Sequence, residues 1–106
     1  MSYLNRLRFD HIQEWGQSVK LICTVEVRNR MGLHTRPAIA IVKLLQNCNS
    51  MVHFTHQEET VDAKSVLNLL MLAAAKNAQI TISIDGSDAD LTMEKLVQAF
   101  ANKFGE

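Results

Sequence analysis

The chain has 106 residues, enough for one modest domain, and 47% of them are hydrophobic, so a packed core is expected. Eleven Lys and Arg balance eleven Asp and Glu, which leaves no basic excess to argue for nucleic acid and no basic amphipathic helix to argue for a membrane surface. The longest apolar runs, 38–42 and 69–75, are too short to span a bilayer, and no secretory h-region opens the chain. Cys23 and Cys48 are widely spaced, without a Cys-x-x-Cys, and each falls on an apolar face, so buried reduced thiols are expected. These features together predict a soluble, cytoplasmic protein.

Residues 1–18 form an N-terminal extension that mixes charge with Tyr3, Leu4, Leu7, Phe9, Ile12 and Trp15 and ends near Gly16. A short docked helix, a flexible segment and a misplaced start codon all remain open for it. The domain is expected over 19–106. From Val19 the pattern alternates, with Leu21, Cys23, Val25 and Val27 on one face and Lys20, Ile22, Thr24 and Glu26 on the other, which predicts a half-buried strand. Residues 29–33 are a loop.

Gly32-Leu33-His34-Thr35-Arg36-Pro37-Ala38 follows. Pro is favoured in the first turn of a helix because its missing N–H would be an orphan donor there. Thr35 is the expected N-cap. Ala38, Ile41, Val42, Leu45 and Cys48 then recur at helical spacing. His34 therefore stands just outside a helix N-terminus, where free N–H groups and the positive end of the helix dipole favour an anion. Arg36 adds the side chain best shaped for phosphate oxygens, and Gly32 permits a close approach or an unusual backbone angle. The chemistry read here is a histidine that takes up a phosphoryl group, with Thr35 and Arg36 supplying backbone N–H groups. A lone histidine at a helix start is also a common cap, surface or core residue, and spacing by itself leaves those readings open.

A second strand is expected with Val52 and Phe54 inward, then a turn at Gln57-Glu58 and a short strand carrying Val61 and Ala63 inward. His53 and His56 point to opposite faces of a strand, and no Asp, Glu or Cys completes a ligand set, so no metal site is expected. Ser65 is the expected N-cap of a second helix running to Lys76-Asn77. Nearly all of that helix is apolar, and a short helix in a small domain cannot be buried on every side. Val66, Leu67 and Leu70 are therefore expected to form a docking patch. Met51, Met71 and Met93 read as core filler. Ile80, Ile82 and Ile84 predict a fourth strand, Asp85-Gly86 a turn, and Asp88 the cap of a last helix with Met93, Leu96, Val97, Phe100 and Phe104 on one face, ended by Gly105.

The order β-α-β-β-α-β-α predicts an α+β domain with one four-stranded antiparallel sheet and three helices on one face, an open-faced sandwich. The block at 32–38 resembles the active-site signature of HPr, the histidine phosphocarriers of the bacterial phosphoenolpyruvate:sugar phosphotransferase system. The block at 63–74 resembles that family's regulatory serine segment, and the block at 80–86 its last strand and turn. The three lie in the family's order and spacing, and the similarity runs from about Val19 to Phe104. The resemblance implies the same fold, His34 as phosphoacceptor with Arg36 beside it, and Ser65 as a regulatory phosphorylation site. It also implies that Ile39, Val66, Leu67 and Leu70 form a shared partner surface. The implied partners are enzyme I as donor, enzyme IIA domains as acceptors and an HPr kinase/phosphorylase, with the protein a monomer that needs no cofactor. The expected role is a phosphoryl carrier and not an enzyme. A nitrogen-branch or purely regulatory phosphorelay paralogue, and a non-phosphorylated binding module of the same fold, are the alternatives.

Overall fold

Alternation with a period of two places the apolar residues of each strand on one side, and this builds the sheet. The computed structural model describes residues 8–12 and 19–106. In chain order the elements are β1 (Arg8–Ile12), β2 (Val19–Glu26), α1 (Thr35–Leu45), β3 (Met51–His56), β4 (Glu59–Asp62), α2 (Val66–Met71), β5 (Gln79–Gly86) and α3 (Ala89–Ala101), with a 3-10 turn at Lys103–Gly105. Among the described residues the sheet order is β1-β2-β5-β3-β4, and every pair is antiparallel. The four expected strands are present as β2, β3, β4 and β5, and three helices cover one face.

Inward residues meet across the strands: Cys23 and Phe54 both flank Ile82, and Leu21 and Val52 both flank Ile84. Against them pack Ala38, Ile41 and Leu45 of α1, Leu69 of α2, and Met93, Leu96 and Phe100 of α3, all essentially buried. Phe100 lies 5.8 Å from Phe54 and 4.9 Å from Phe104, centroid to centroid, the second contact edge-on. The opposite face carries cross-strand hydroxyl pairs, Thr24 with Thr81 and Thr55 with Thr60. Among the described residues no helix is long and apolar enough to cross a membrane.

Several local expectations are corrected. The extension contributes a strand: Arg8–Ile12 pairs antiparallel with β2 and makes a fifth strand at the sheet edge, with an irregularity between Phe9 and His11. The rest of the extension, 1–7 and 13–18, lies outside the described residues. α2 ends at Met71 and not at Lys76-Asn77, because Ala73 takes a left-handed conformation (φ 51°) that stops the helix; Asn77 (φ 76°) shapes the next turn into β5. Asp85 and Gly86 are the last residues of β5, paired with Lys20 and Val19, so the chain turns after them. Gly86 packs so closely on Ser50 that a Cβ would collide with it. Asp88 stands at the N-cap of α3 without a side-chain cap bond. Its carboxylate accepts instead from Asn49 N–H (2.8 Å) and the Ser50 hydroxyl. α3 stops at Ala101, before Phe104 and Gly105. Met51 and Met71 are 64% and 63% exposed, on the outer face of β3 and the open side of α2; Met93 is buried as core.

Candidate functional site

The site forms where β2 hands over to α1. Val27 is tied to the chain entering β5 by Val27 N–H to Ala78 O (2.8 Å) and Asn77 N–H to Val27 O (2.7 Å). Gly32 then adopts φ 71°, and a Cβ there would meet the Ala74 carbonyl oxygen and lie 2.9 Å from Ala75 Cα. Leu33 N–H donates to the same Ala74 carbonyl at 2.9 Å. The loop is thus pressed against the segment that leaves α2, and both freedoms expected of Gly32 are used.

His34 is itself the N-cap of α1, in extended conformation, and Ala38 N–H donates to its carbonyl at 3.0 Å. This corrects the assignment of the cap to Thr35, which is the first helical residue; the cap position carries no side-chain cap bond. Thr35 and Arg36 are exposed, while Pro37 and Ala38 are buried. By helix geometry the Thr35 and Arg36 N–H groups have no intrahelical acceptor, and Pro37 has none to offer. The first turn holds no acidic residue. The His34 side chain is 30% exposed and that of Arg36 81%.

Two residues that sequence reasoning missed complete the site. The Glu106 carboxylate lies 3.3 Å from His34 Nε2 with each of its oxygens and 3.8 Å from Arg36 Nε. Asn29, 1% exposed, donates from Nδ2 to Glu106 Oε1 (2.6 Å) and to the Lys103 carbonyl (2.8 Å), and its buried Oδ1 has no hydrogen-bond donor among the described residues. The hydrogen bond from Asn29, then the hydrogen bond and charge of His34 and the charge of Arg36, hold the Glu106 carboxyl below its ordinary value of 4.5 against an opposing desolvation. Arg30, Met31, Lys103 and Gly105 complete the rim. Arg30, Arg36 and Lys103 thus line one pocket with a single carboxylate, and an arriving anion meets a field in its favour. No local pattern marks Asn29 or Glu106, which stand 77 positions apart and meet only in the fold.

The expected docking residues lie on α1 and α2, which pack together, and Ser65 stands at the start of α2. Ser65 is the N-cap of α2, as expected, and its hydroxyl accepts from Asn68 N–H at 3.2 Å. Leu67 is 67% exposed and Ile39 39%, while Val66 and Leu70 are half-buried. Met71 and Met31, which the sequence did not place on a docking surface, are exposed as well. His56 and His53 do not converge: His56 Nδ1 donates to the carbonyl of Leu72, the C-cap of α2, at 3.1 Å. Lys64 Nζ reaches the Cys48 carbonyl at 3.4 Å. Cys23 is buried and Cys48 half-buried.

An open-faced α+β sandwich that presents a histidine and a guanidinium at one helix start is a domain suited to handling a small anionic group on its surface. A family model described as the PTS HPr component phosphorylation site matches residues 22–102. The phosphocarrier protein HPr of Chlamydia muridarum (strain MoPn / Nigg) is 44% identical over 80 residues, which are 76% of this chain and 77% of that protein. The phosphocarrier protein NPr of Klebsiella oxytoca is 38% identical over 84 residues, 78% of this chain and 93% of that one. The crystal structure of a phosphocarrier protein HPr from Bacillus anthracis str. Ames superposes with a TM-score of 0.73 at 30% identity, covering 76% of this chain and 96% of that one. The chain belongs to the HPr family of phosphocarrier proteins of the phosphotransferase system.

Proposed function

We propose that His34 accepts a phosphoryl group from a phosphohistidine of enzyme I and passes it to enzyme IIA domains, acting as a carrier in the cytoplasm and not as an enzyme in its own right. The observation that carries this reading is the position of His34 as the partly exposed N-cap of α1, with the N–H groups of Thr35 and Arg36 and the Arg36 guanidinium on the same turn. A neutral imidazole, with a free lone pair on one ring nitrogen, is the nucleophile. After transfer the same N–H groups and Arg36 stabilise the phosphate dianion. That stabilisation must stay moderate, because a carrier releases its cargo.

Ile39, Val66, Leu67 and Leu70 supply the docking surface for these proteins, which fits their exposure on the two helices beside the site. Ser65 is the regulatory position. Phosphorylation there by a kinase of the HPr kinase type sets a dianion at the edge of the patch, and a docking protein must then desolvate it. The carrier domain is assigned to 19–106, with Arg8–Ile12 as an added edge strand.

Incubation with phosphoenolpyruvate and enzyme I, followed by intact mass, tests the reading. One acid-labile phosphate is expected on the wild type and none on His34→Ala; a His34→Ala protein that still gains it defeats the assignment. A second reading, a nitrogen-branch or regulatory carrier, is favoured by relatives that are NPr proteins. Transfer to nitrogen-branch but not sugar-specific IIA domains selects it.

A further inference from the structure

We propose that the strand Arg8–Ile12 is an edge guard, and that the β2 edge it occupies is a self-complementary surface for a second copy of this chain.

The two sides of the sheet are managed differently. The far edge is β4, four residues long with a carboxylate at each end, Glu59 and Asp62. A short, charged strand resists pairing with another chain. β2 is eight residues long, holds no Pro or Gly, and between Lys20 and Glu26 reads Leu21-Ile22-Cys23-Thr24-Val25. Its inner side is paired with β5 over its whole length, from Val19↔Gly86 to Glu26↔Gln79. The backbone is thus held straight, and its outer N–H and C=O groups form a template for one more strand. β1 takes that template at Val19–Ile22. β1 is itself only five residues long, breaks register between Phe9 and His11, and has Arg8 and Asp10 in its sequence. A long, apolar edge is thereby replaced by a short, irregular and charged one.

The edge of β2 fits a second β2. A two-fold axis normal to the sheet through Cys23 sets two such strands antiparallel with their inner faces on the same side. Lys20 then stands opposite Glu26 of the second copy, Leu21 opposite Val25, and Ile22 opposite Thr24. Lys20 and Glu26 are exposed on the outer face, and Leu21 and Val25 lie on the core side. Symmetry makes each pairing twice, so two opposite-charge pairs bracket the contact. A slip of one residue sets inner residues against outer ones, and a slip of two loses both charge pairs. With β1 on Val19–Ile22, every one of these pairings is blocked.

The test uses the full chain and begins with amide exchange of the wild type. Leu21 and Ile22 are neighbours, so their N–H groups point to opposite edges of β2. Both are expected to exchange slowly; fast exchange at either overturns the guard. Arg8→Pro with Phe9→Pro detaches β1, because one of two neighbouring residues must donate to β2 and proline has no N–H. The sedimenting mass of this variant is expected to double at a concentration where the wild type is a monomer. Adding Lys20→Glu is expected to return the monomer, since carboxylates then face each other in both pairs, and adding Glu26→Lys as well is expected to restore the dimer. A detached variant that stays monomeric, a dimer indifferent to these charges, or a wild type that dimerises equally overturns the proposal. If the proline pair prevents folding, Arg8→Gly with Phe9→Gly weakens the same strand and keeps its N–H groups, and the same mass and charge readouts decide.

Discussion

Asn29 and Glu106 are joined by a 2.6 Å hydrogen bond across 77 positions of chain, and the same Asn29 amide nitrogen holds the Lys103 carbonyl at 2.8 Å. A single buried side chain thus fastens the turn after α3 to the loop that carries His34. Replacing it removes two hydrogen bonds, one of them to an ionised group. Asn29→Ala is expected to destabilise the protein by about 1–3 kcal/mol, read as a lower urea midpoint. Asn29→Asp is expected to cost more, because it sets a second carboxylate against Glu106 and the Lys103 carbonyl.

Arg36 is the converse case. Its side chain is 81% exposed and its contact to Glu106 is long, at 3.8 Å. Arg36→Ala is expected to leave the urea midpoint nearly unchanged and to raise the barrier to phosphoryl transfer by about 2–4 kcal/mol. Exchange rates measured with both proteins check it, and near-equal rates remove Arg36 from the site.

Ser65 has two separable roles. As a cap it accepts from Asn68 N–H, so Ser65→Ala is expected to lose about 1 kcal/mol of stability. As a regulatory position it is expected to slow enzyme I-dependent phosphorylation of His34 when it carries phosphate, with Ser65→Asp a partial mimic because one carboxylate has less charge and fewer oxygens. Equal rates for wild type, Ser65→Ala, Ser65→Asp and the kinase-treated protein leave Ser65 as a helix cap only.

Ala73 ends α2 in the left-handed region, where a Cβ is crowded by the following carbonyl oxygen. Glycine removes that strain, and the gain exceeds the extra chain entropy of the unfolded state. Ala73→Gly is expected to stabilise the protein by about 0.5–1 kcal/mol, seen as a higher Tm. An unchanged or lower Tm shows that the turn does not hold strain.

Asp88 gives the pH dependence a sign. The Ser50 hydroxyl first, and then the Asn49 N–H, hold its carboxyl below the ordinary value of 3.8. A folded-state value below the unfolded one means that the unfolded chain binds the proton more tightly. The contribution is therefore complete above the unfolded value and is lost as pH falls through the folded one. The difference in urea midpoint between wild type and Asp88→Asn is expected to be constant near neutrality and to shrink below about pH 4. A difference that does not change with pH assigns the effect to packing.

The strands of the domain and the helix start beside His34 were legible in the sequence because both depend on near neighbours. Alternation from Val19 and at Ile80, Ile82 and Ile84 is a period-two signal, and it placed β2 and β5 with their inward faces correct. His34, Arg36 and Pro37 lie within one turn, so the helix start and its anion-favouring character followed from local rules, although the cap proved to be His34 and not Thr35. The ends of α2 and α3 were not legible. Ala73, Lys103 and Phe104 take left-handed angles that their residue types disfavour, and only the contacts made by the surrounding chain hold them there. The strand Arg8–Ile12 depends on the free edge of β2, which exists only once the sheet has formed. The carboxylate at His34 Nε2 depends on α3 crossing the sheet and on a buried asparagine at the far end of the sequence. Propensity and spacing reach about four residues along a chain; a site built from positions 29, 34, 36 and 106 is decided by packing.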